Sequence, residues 1–490
     1  MALKRYFASK DNTITNSFQS NLTVRGTGSN MGRSDILETF YIYAQQSSTS
    51  EEKARILLEF PISDIASDRT SGDIPASGSV SFFLKMTNAK HSSTLPSDFK
   101  LSVHAITGSW QEDLTYDNTG SNWLRKAGAI SWDTAGGDFF TDSSSSFDAT
   151  FYVGDEDLEV DVTTLVEQWI NSGGNVLGSK NNNGFIIKLS SSYESSTTDS
   201  YYTKKFFARS SEFFYRRPTL EARWDSSRRD NRANMFFSSS ILPGSENLMN
   251  LYMYNYYRGT LVDIVGETDQ LPTMKLYYSS GSVPEGDPRY FRNSANTAVN
   301  SLQASRVSKG IYLCTFTVTS SVVTTDYPYL VDVWEYQSTE IHTGSVITVE
   351  KHNFSNYNPN PNYVISMPNL KKAYSNNETE RFRLFVREKG WSPNIYTVAN
   401  ATTPTLLIQS ASYKVIRISD EKIVIPYNTG SNGSTLLSYD SEGNYFDLDM
   451  NLFEPGYTFG IQYSFYEDSV GSYREQPYIF KFRMIEDELQ

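Results

Sequence analysis

Between Leu158 and Leu189 the hydrophobic pattern changes period twice. Leu158, Val160 and Val162 alternate with Glu159 and Asp161, which places the apolar side chains on one face of a strand. Leu165, Val166, Trp169 and Ile170 then recur at i, i+1, i+4 and i+5, one apolar face at a 3.6-residue period, and predict a short helix. Thr164 and Glu167 have the spacing of a capping box, and Gly173 with Gly174 supplies the stop. After the polar run 179–183, Phe185-Ile186-Ile187 predicts a buried strand.

Elsewhere period 2 dominates. Residues 55–60, 79–86, 101–106, 205–210 and 217–224 read as further strands of a first module, with 63–71 as a loop. The charged, polar stretch 225–234 marks a boundary. Residues 247–254, 258–262, 274–278, 310–318 and 329–334 have the strand spacing of an immunoglobulin-like sandwich. Residues 352–368, with Pro359, Pro361 and Pro368, read as a linker or crossing loop. Strands at 380–387, 413–418, 423–426, 444–450, 457–465 and 478–484 form a third module. The expected fold class is all-β: three β-sandwich modules in series, jelly-roll or immunoglobulin-like, over 1–227, 234–352 and 366–490, with one short helix in the first. No clean internal period relates the two downstream modules.

Composition narrows the functional classes. At 490 residues the chain exceeds what one hydrophobic core usually supports. Aromatics at 14% suit strands, and the Ser- and Asn-rich runs suit tight turns. A net charge of −13 without a long basic run argues against a nucleic-acid surface. No apolar run reaches transmembrane length, and the N-terminus lacks the apolar segment of a secretory signal. Cys314 is the single cysteine, so an intramolecular disulfide is impossible and synthesis in a reducing cytoplasm is expected.

Candidate chemistry is sparse. His91, His104, His342 and His352 are dispersed, and no zinc spacing occurs. No nucleophile elbow, P-loop or dinucleotide fingerprint is present. Asp447 and Asp449 share a strand face, although a solvated face is the simpler account. Asp155 and Asp157, flanking Glu156, are weak Ca²⁺ candidates outside any EF-hand pattern. Trp123 and Trp132 lie in a polar, Gly-containing loop and are the candidates for stacking on a glycan. No catalytic residue, cofactor or other metal ligand is assigned.

The order RILLEFPISDI, FFLKM, LSVHAITGSWQEDLTYDN, EVDVTTLVEQWI, NNGFIIKL and RRPTLEARW resembles the DNRLRE-type, carbohydrate-binding-module-like β-sandwich family over Lys4 to Asp225. Trp110, Glu112, Thr115, Asp161, Val162, Trp169, Gly184 and Pro218 match its pattern. Tyr116 stands where that pattern often has Trp, and the Ser-rich insertions near 143–148 and 190–200 are extra. The resemblance implies a jelly roll and, beyond it, glycan contact. REKGWSPNIYTVAN, GNYFDLDMNLFEPGYTFGI and QPYIFKFRM, within 234–490, resemble segments of tailed-phage virion proteins. That second resemblance implies a non-enzymatic virion component made in a host cytoplasm, assembling with other virion structural proteins and with copies of itself. The competing expectation is a carbohydrate-binding host-attachment protein; nucleic acid and membrane are not expected partners.

Overall fold

The computed structural model describes residues 2–91, 96–112, 120–171, 177–264, 270–352, 361–395, 405–430 and 433–486. The chain is mostly β and divides into two compact units, Ala2–Asp225 and Ser226–Gln490.

The N-terminal unit is a sandwich of antiparallel sheets. One orders Leu3–Phe7, Thr219–Trp224, Val80–Met86 and Leu158–Asp161. The larger orders Tyr201–Phe207, Ile36–Tyr43, Glu51–Glu59, Phe185–Leu189, Phe99–Ala105 and Ser146–Phe151, with Lys10–Thr15 also paired to Glu51–Glu59. Val80, Phe82, Leu84 and Leu220 of the small sheet meet Ile56, Leu58, Leu101, Phe185 and Ile187 of the large one in a single core.

Alternation explains why two strands read as unbroken apolar runs. Ile56 and Leu58 point into that core, whereas Leu57 joins a second cluster with Ile14, Ile106, Trp110, Trp123, Trp132 and Ile186. Phe185 and Ile187 likewise point inward and Ile186 outward. These strands are therefore buried on both faces, the condition that removes polar alternation from a strand sequence.

The helix Thr163–Ile170 forms where the 3.6 period places it, and Leu165, Val166 and Trp169 enter the core. The expected capping box is replaced. Asp161 accepts the Thr163 N–H (2.9 Å) and hydroxyl (2.6 Å), and the Glu167 carboxylate is held by Arg69 at 2.6 and 2.7 Å. A side chain already paired to a guanidinium has no reason to fold back on the backbone. Gly173 and Gly174 lie outside the described residues.

Residues 63–71, expected as a loop, belong to a second helix, Ile62–Ser71, and Ser191–Glu194 makes a third, four-residue helix. Only Ile62 and Ile65 of the second helix are buried, so its apolar stripe is too thin to register as a period. Its ends are nevertheless marked: Pro61 precedes it, and Gly72 closes it in the left-handed conformation (φ 83°).

The downstream unit contains two sandwiches. In the first, Met235–Phe236, Ile347–Glu350, Tyr329–Tyr336, Thr273–Ser279 and Leu302–Gln303 form one sheet, to which Thr339–Thr343 adds. Met249–Tyr254, Ile311–Thr317, Phe291–Asn293 and Ala298–Val299, with Ser305–Ser308, form the other. In the second, Tyr363–Ser366, Thr379–Glu388, Gly443–Asp449 and Ser438–Asp440 face Ala373–Ser375, Ser472–Ile485, Thr458–Glu467, Ala411–Arg417 and Ile423–Ile425. Phe382, Phe446, Tyr413 and Tyr463 pack in its core. Each sandwich has an early short strand, Met235–Phe236 in one and Ala373–Ser375 in the other, running parallel to the strand that closes it.

Residues 225–234, expected as a boundary, include a strap between these two sandwiches. Asp230 N–H donates to the Tyr439 carbonyl (3.0 Å) and Tyr439 N–H to the Arg228 carbonyl (2.9 Å), so the strap pairs with the edge strand Ser438–Asp440. On its other side Asn231 Oδ1 accepts the Asn250 N–H (2.9 Å). Arg232 grips Asp332, whose Oδ2 also accepts the Trp334 indole N–H (2.7 Å). Of the expected linker 352–368, residues 353–360 lie outside the described residues.

Candidate functional site

The structure moves the aromatic candidates off the surface. Trp123 is 7% exposed and Trp132 5%, and both lie under the outer face of the large sheet. The Trp132 indole donates to the Asn122 carbonyl (2.9 Å). The Arg55 guanidinium sits 5.1 Å from the Trp123 ring while also holding Glu194 at 2.7 and 3.1 Å. Gly136 admits this packing, because a Cβ there would stand 2.7 Å from Trp123. Neither tryptophan offers a face to a glycan. The outward-pointing Leu57 and Ile186 need an apolar cover, and these two indoles supply it.

Asp155 and Asp157 do not build a cation site either. Both are exposed, Asp157 accepts the Asn88 N–H (2.7 Å), and the intervening Glu156 carboxylate binds the N–H groups of Tyr152, Val153 and Gly154. The oxygens that converge nearby already hold a cation of the chain itself. Lys204 Nζ donates to Asn88 Oδ1 (2.7 Å) and to the carbonyls of Gly154 (2.8 Å) and Glu156 (2.6 Å), over the rings of Phe151 and Phe206. Burial pulls its pKa down to about 8, so the amine keeps its proton at neutral pH. Among the described residues no group of three His, Cys, Asp or Glu side chains gathers.

The family-pattern positions hold structure. Trp110 donates to the Asn183 carbonyl (3.0 Å), Trp169 meets Phe185 edge-on at 4.7 Å, and Pro218 accepts the Ala8 N–H (3.1 Å). Thr115 and Tyr116 lie outside the described residues. Glu112 is held by Arg209 at 2.9 Å and accepts the Asp11 N–H (2.9 Å), while Asp11 Oδ2 accepts the Arg209 N–H. Asp447 is taken by Arg381 (2.7 Å), and Asp449 caps a single helical turn through the Asn451 N–H (2.9 Å). The two are not poised as an acid and base.

Asp11 carries a pH prediction. Its side chain is fully buried, and burial first, then the Glu112 charge, lifts its pKa to about 7, against a backbone bond from Arg209 that lowers it. A carboxyl raised in the fold contributes stability that is full below its ordinary value and is lost as pH rises through about 7. Asp11→Asn is therefore expected to gain on wild type by a few kcal/mol between pH 4 and pH 7, roughly the span of the shift. Urea denaturation followed by tryptophan emission measures it, since Trp110, Trp123, Trp132, Trp169 and Trp224 all lie in this unit. A difference independent of pH would refute the assignment.

A cleft with charged and aromatic lining lies in the last sandwich. Thr458–Glu467 and Ser472–Ile485 pair in register until Gln462 opposite Ile479, then resume at Ser464 opposite Glu475. One residue, Tyr463, thus faces the three residues Gln476, Pro477 and Tyr478. Proline cannot donate to a ladder, so the pairing bulges where Pro477 falls. Beside the bulge is a cleft of about 320 Å³, lined by Tyr363, Lys389, Gln462, Glu467, Arg474 and Tyr478 among others. Glu467 is 4% exposed. Its Oε1 lies 3.4 Å from Arg474 Nη1, and its Oε2 has no hydrogen-bond partner among the described residues. Gln462 donates to Glu475 Oε1 (2.8 Å) and the Gln476 carbonyl (3.2 Å), and the Tyr478 hydroxyl reaches the Tyr363 carbonyl at 3.5 Å. Burial, then Glu388 and Glu467, keeps the Tyr363 hydroxyl protonated by raising its pKa. Sequence reading starts that strand at Tyr478 and passes over Glu467; Pro477 inside an alternating run was the available sign.

No family model matches the chain, and no curated protein matches it. A chimeric titin Z1Z2-Z1Z2 tandem is 9% identical over 49% of this chain and 91% of its own, with a TM-score of 0.15. Trypsin-activated alpha-2-macroglobulin from Escherichia coli is 8% identical over 88% of this chain and 24% of its own, at 0.16. Domains 4 and 5 of the S-layer protein SbsC are 11% identical over 42% and 98%, at 0.13. Scores of this size assign the chain to no family.

Proposed function

We propose that this chain is a structural component of a tailed-phage particle, acting by protein–protein assembly and not by catalysis. The strap at 228–231 carries the reading. Backbone pairing of Arg228 and Asp230 with Tyr439 ties two sandwiches together, which suits a subunit that must pass a fixed spacing to its neighbours. The N-terminal unit adds a surface of the composition that protein interfaces favour: Phe213 and Phe214 are 41% and 45% exposed, with Arg216 and Arg217 over their rings. The partners are other particle proteins and further copies of the chain, and many weak contacts would add by multivalency. Mass spectrometry and a cryo-electron map of salt-washed particles from the source test this. A fixed copy number with ordered density on several neighbours is expected; absence from washed particles overturns it.

Glycan attachment through Trp123 and Trp132 is the weaker reading, because burial of both indoles removes the surface it needs.

A further inference from the structure

We propose that the cleft beside the Gln476–Tyr478 bulge is a subsite for one neutral sugar residue, with the Glu467 carboxylate accepting a ligand hydroxyl. This inference is independent of the particle assignment, since a saccharide subsite serves an adhesin and a shell protein alike.

Four observations select the ligand class. First, a carboxylate oxygen withdrawn from solvent without a donor is costly, and the group that relieves it must bring an O–H or N–H. Second, the charges around the cleft balance: Glu467 and Glu475 against Arg474 and Lys389. An anion or a cation would meet one like charge for each opposite one, so a neutral, hydroxyl-rich molecule fits better. Third, a carboxylate beside a guanidinium accepts from one hydroxyl while the guanidinium donates to the next, which matches a vicinal diol. Fourth, Tyr363 and Tyr478 give the cleft aromatic bodies with polar tips, suited to a ring that is apolar on its faces and polar at its edge. The volume lies at the small end of ligand pockets, room for one ring and not for a chain of them.

The test is saturation-transfer NMR on the full chain with glucose, galactose, rhamnose and N-acetylglucosamine, and with ethylamine as a cationic probe. At least one sugar is expected to receive saturation, and Glu467→Gln should weaken it about tenfold or more, the loss of one charged hydrogen bond. Arg474→Gln removes an exposed side chain without threatening the core and should weaken the same sugar several-fold. This second variant keeps the test decisive if Glu467→Gln unfolds the sandwich. Silence from all four sugars, a sugar signal unchanged by Arg474→Gln, or binding of ethylamine alone overturns the proposal. None of these results bears on whether the chain is found in particles.

Discussion

Lys204→Met is expected to destabilise the N-terminal unit by about 3 kcal/mol, the cost of leaving buried acceptors without their charged donor. Methionine keeps an apolar stem between Phe151 and Phe206, so packing changes little. What disappears is the charged donor shared by Asn88 Oδ1 and the carbonyls of Gly154 and Glu156. The position amplifies the loss. Lys204 belongs to Tyr201–Phe207, one edge of the large sheet, whereas the Gly154–Glu156 turn follows Ser146–Phe151, the opposite edge. Asn88 follows Val80–Met86 of the small sheet and is bridged to Phe206. One ammonium therefore joins both ends of a curled sheet to its partner. Urea denaturation read by tryptophan emission gives the number, and a loss below about 1 kcal/mol would mean that solvent replaces the ammonium without penalty.

Gly184→Ala should be comparably damaging, about 3 to 5 kcal/mol, from left-handed strain plus forced displacement of backbone. At φ +83° an added Cβ would stand 2.0 Å from the Leu58 carbonyl oxygen, an atom fixed in the neighbouring strand. Gly178→Ala separates the two causes. It has φ +78° but open space around the new Cβ, so only the conformational penalty of about 1 to 2 kcal/mol remains. Equal losses at the two positions would show that the close approach to Leu58 is relieved elsewhere.

The fold was readable where one face decides the pattern. Val80–Met86 and Thr379–Glu388 alternate because one side is buried, and the helix Thr163–Ile170 shows its stripe because Leu165, Val166 and Trp169 all enter the core. Where both faces of a strand are buried the strand itself was still legible, but what covers its second face was not. The runs Ile56-Leu57-Leu58 and Phe185-Ile186-Ile187 already announce that the large sheet needs a cover on its outer face. That requirement explains Trp123 and Trp132 better than a ligand does. The carboxylates show a second limit. Nothing local distinguishes Asp157 on the surface from Asp11 in the interior; Arg209, nearly two hundred residues away, makes the difference. Glu467 was invisible for the same reason, since its environment is assembled by a bulge across the hairpin turn, on the neighbouring strand.

The parallel pairing of an early short strand with the last strand of each downstream sandwich has a consequence for biosynthesis. Met235–Phe236 can settle only after Ile347–Glu350 exists, and Ala373–Ser375 only after Ser472–Ile485. The strap waits longer still, because its partner Tyr439 is translated some two hundred residues after it. Long-range pairings of this kind slow folding and leave edges open in the interval. A ribosome-stalled chain ending between the two sandwiches would therefore carry a folded N-terminal unit and an unfastened strap, and the last sandwich completes its pairing only as Ser472–Ile485 emerges.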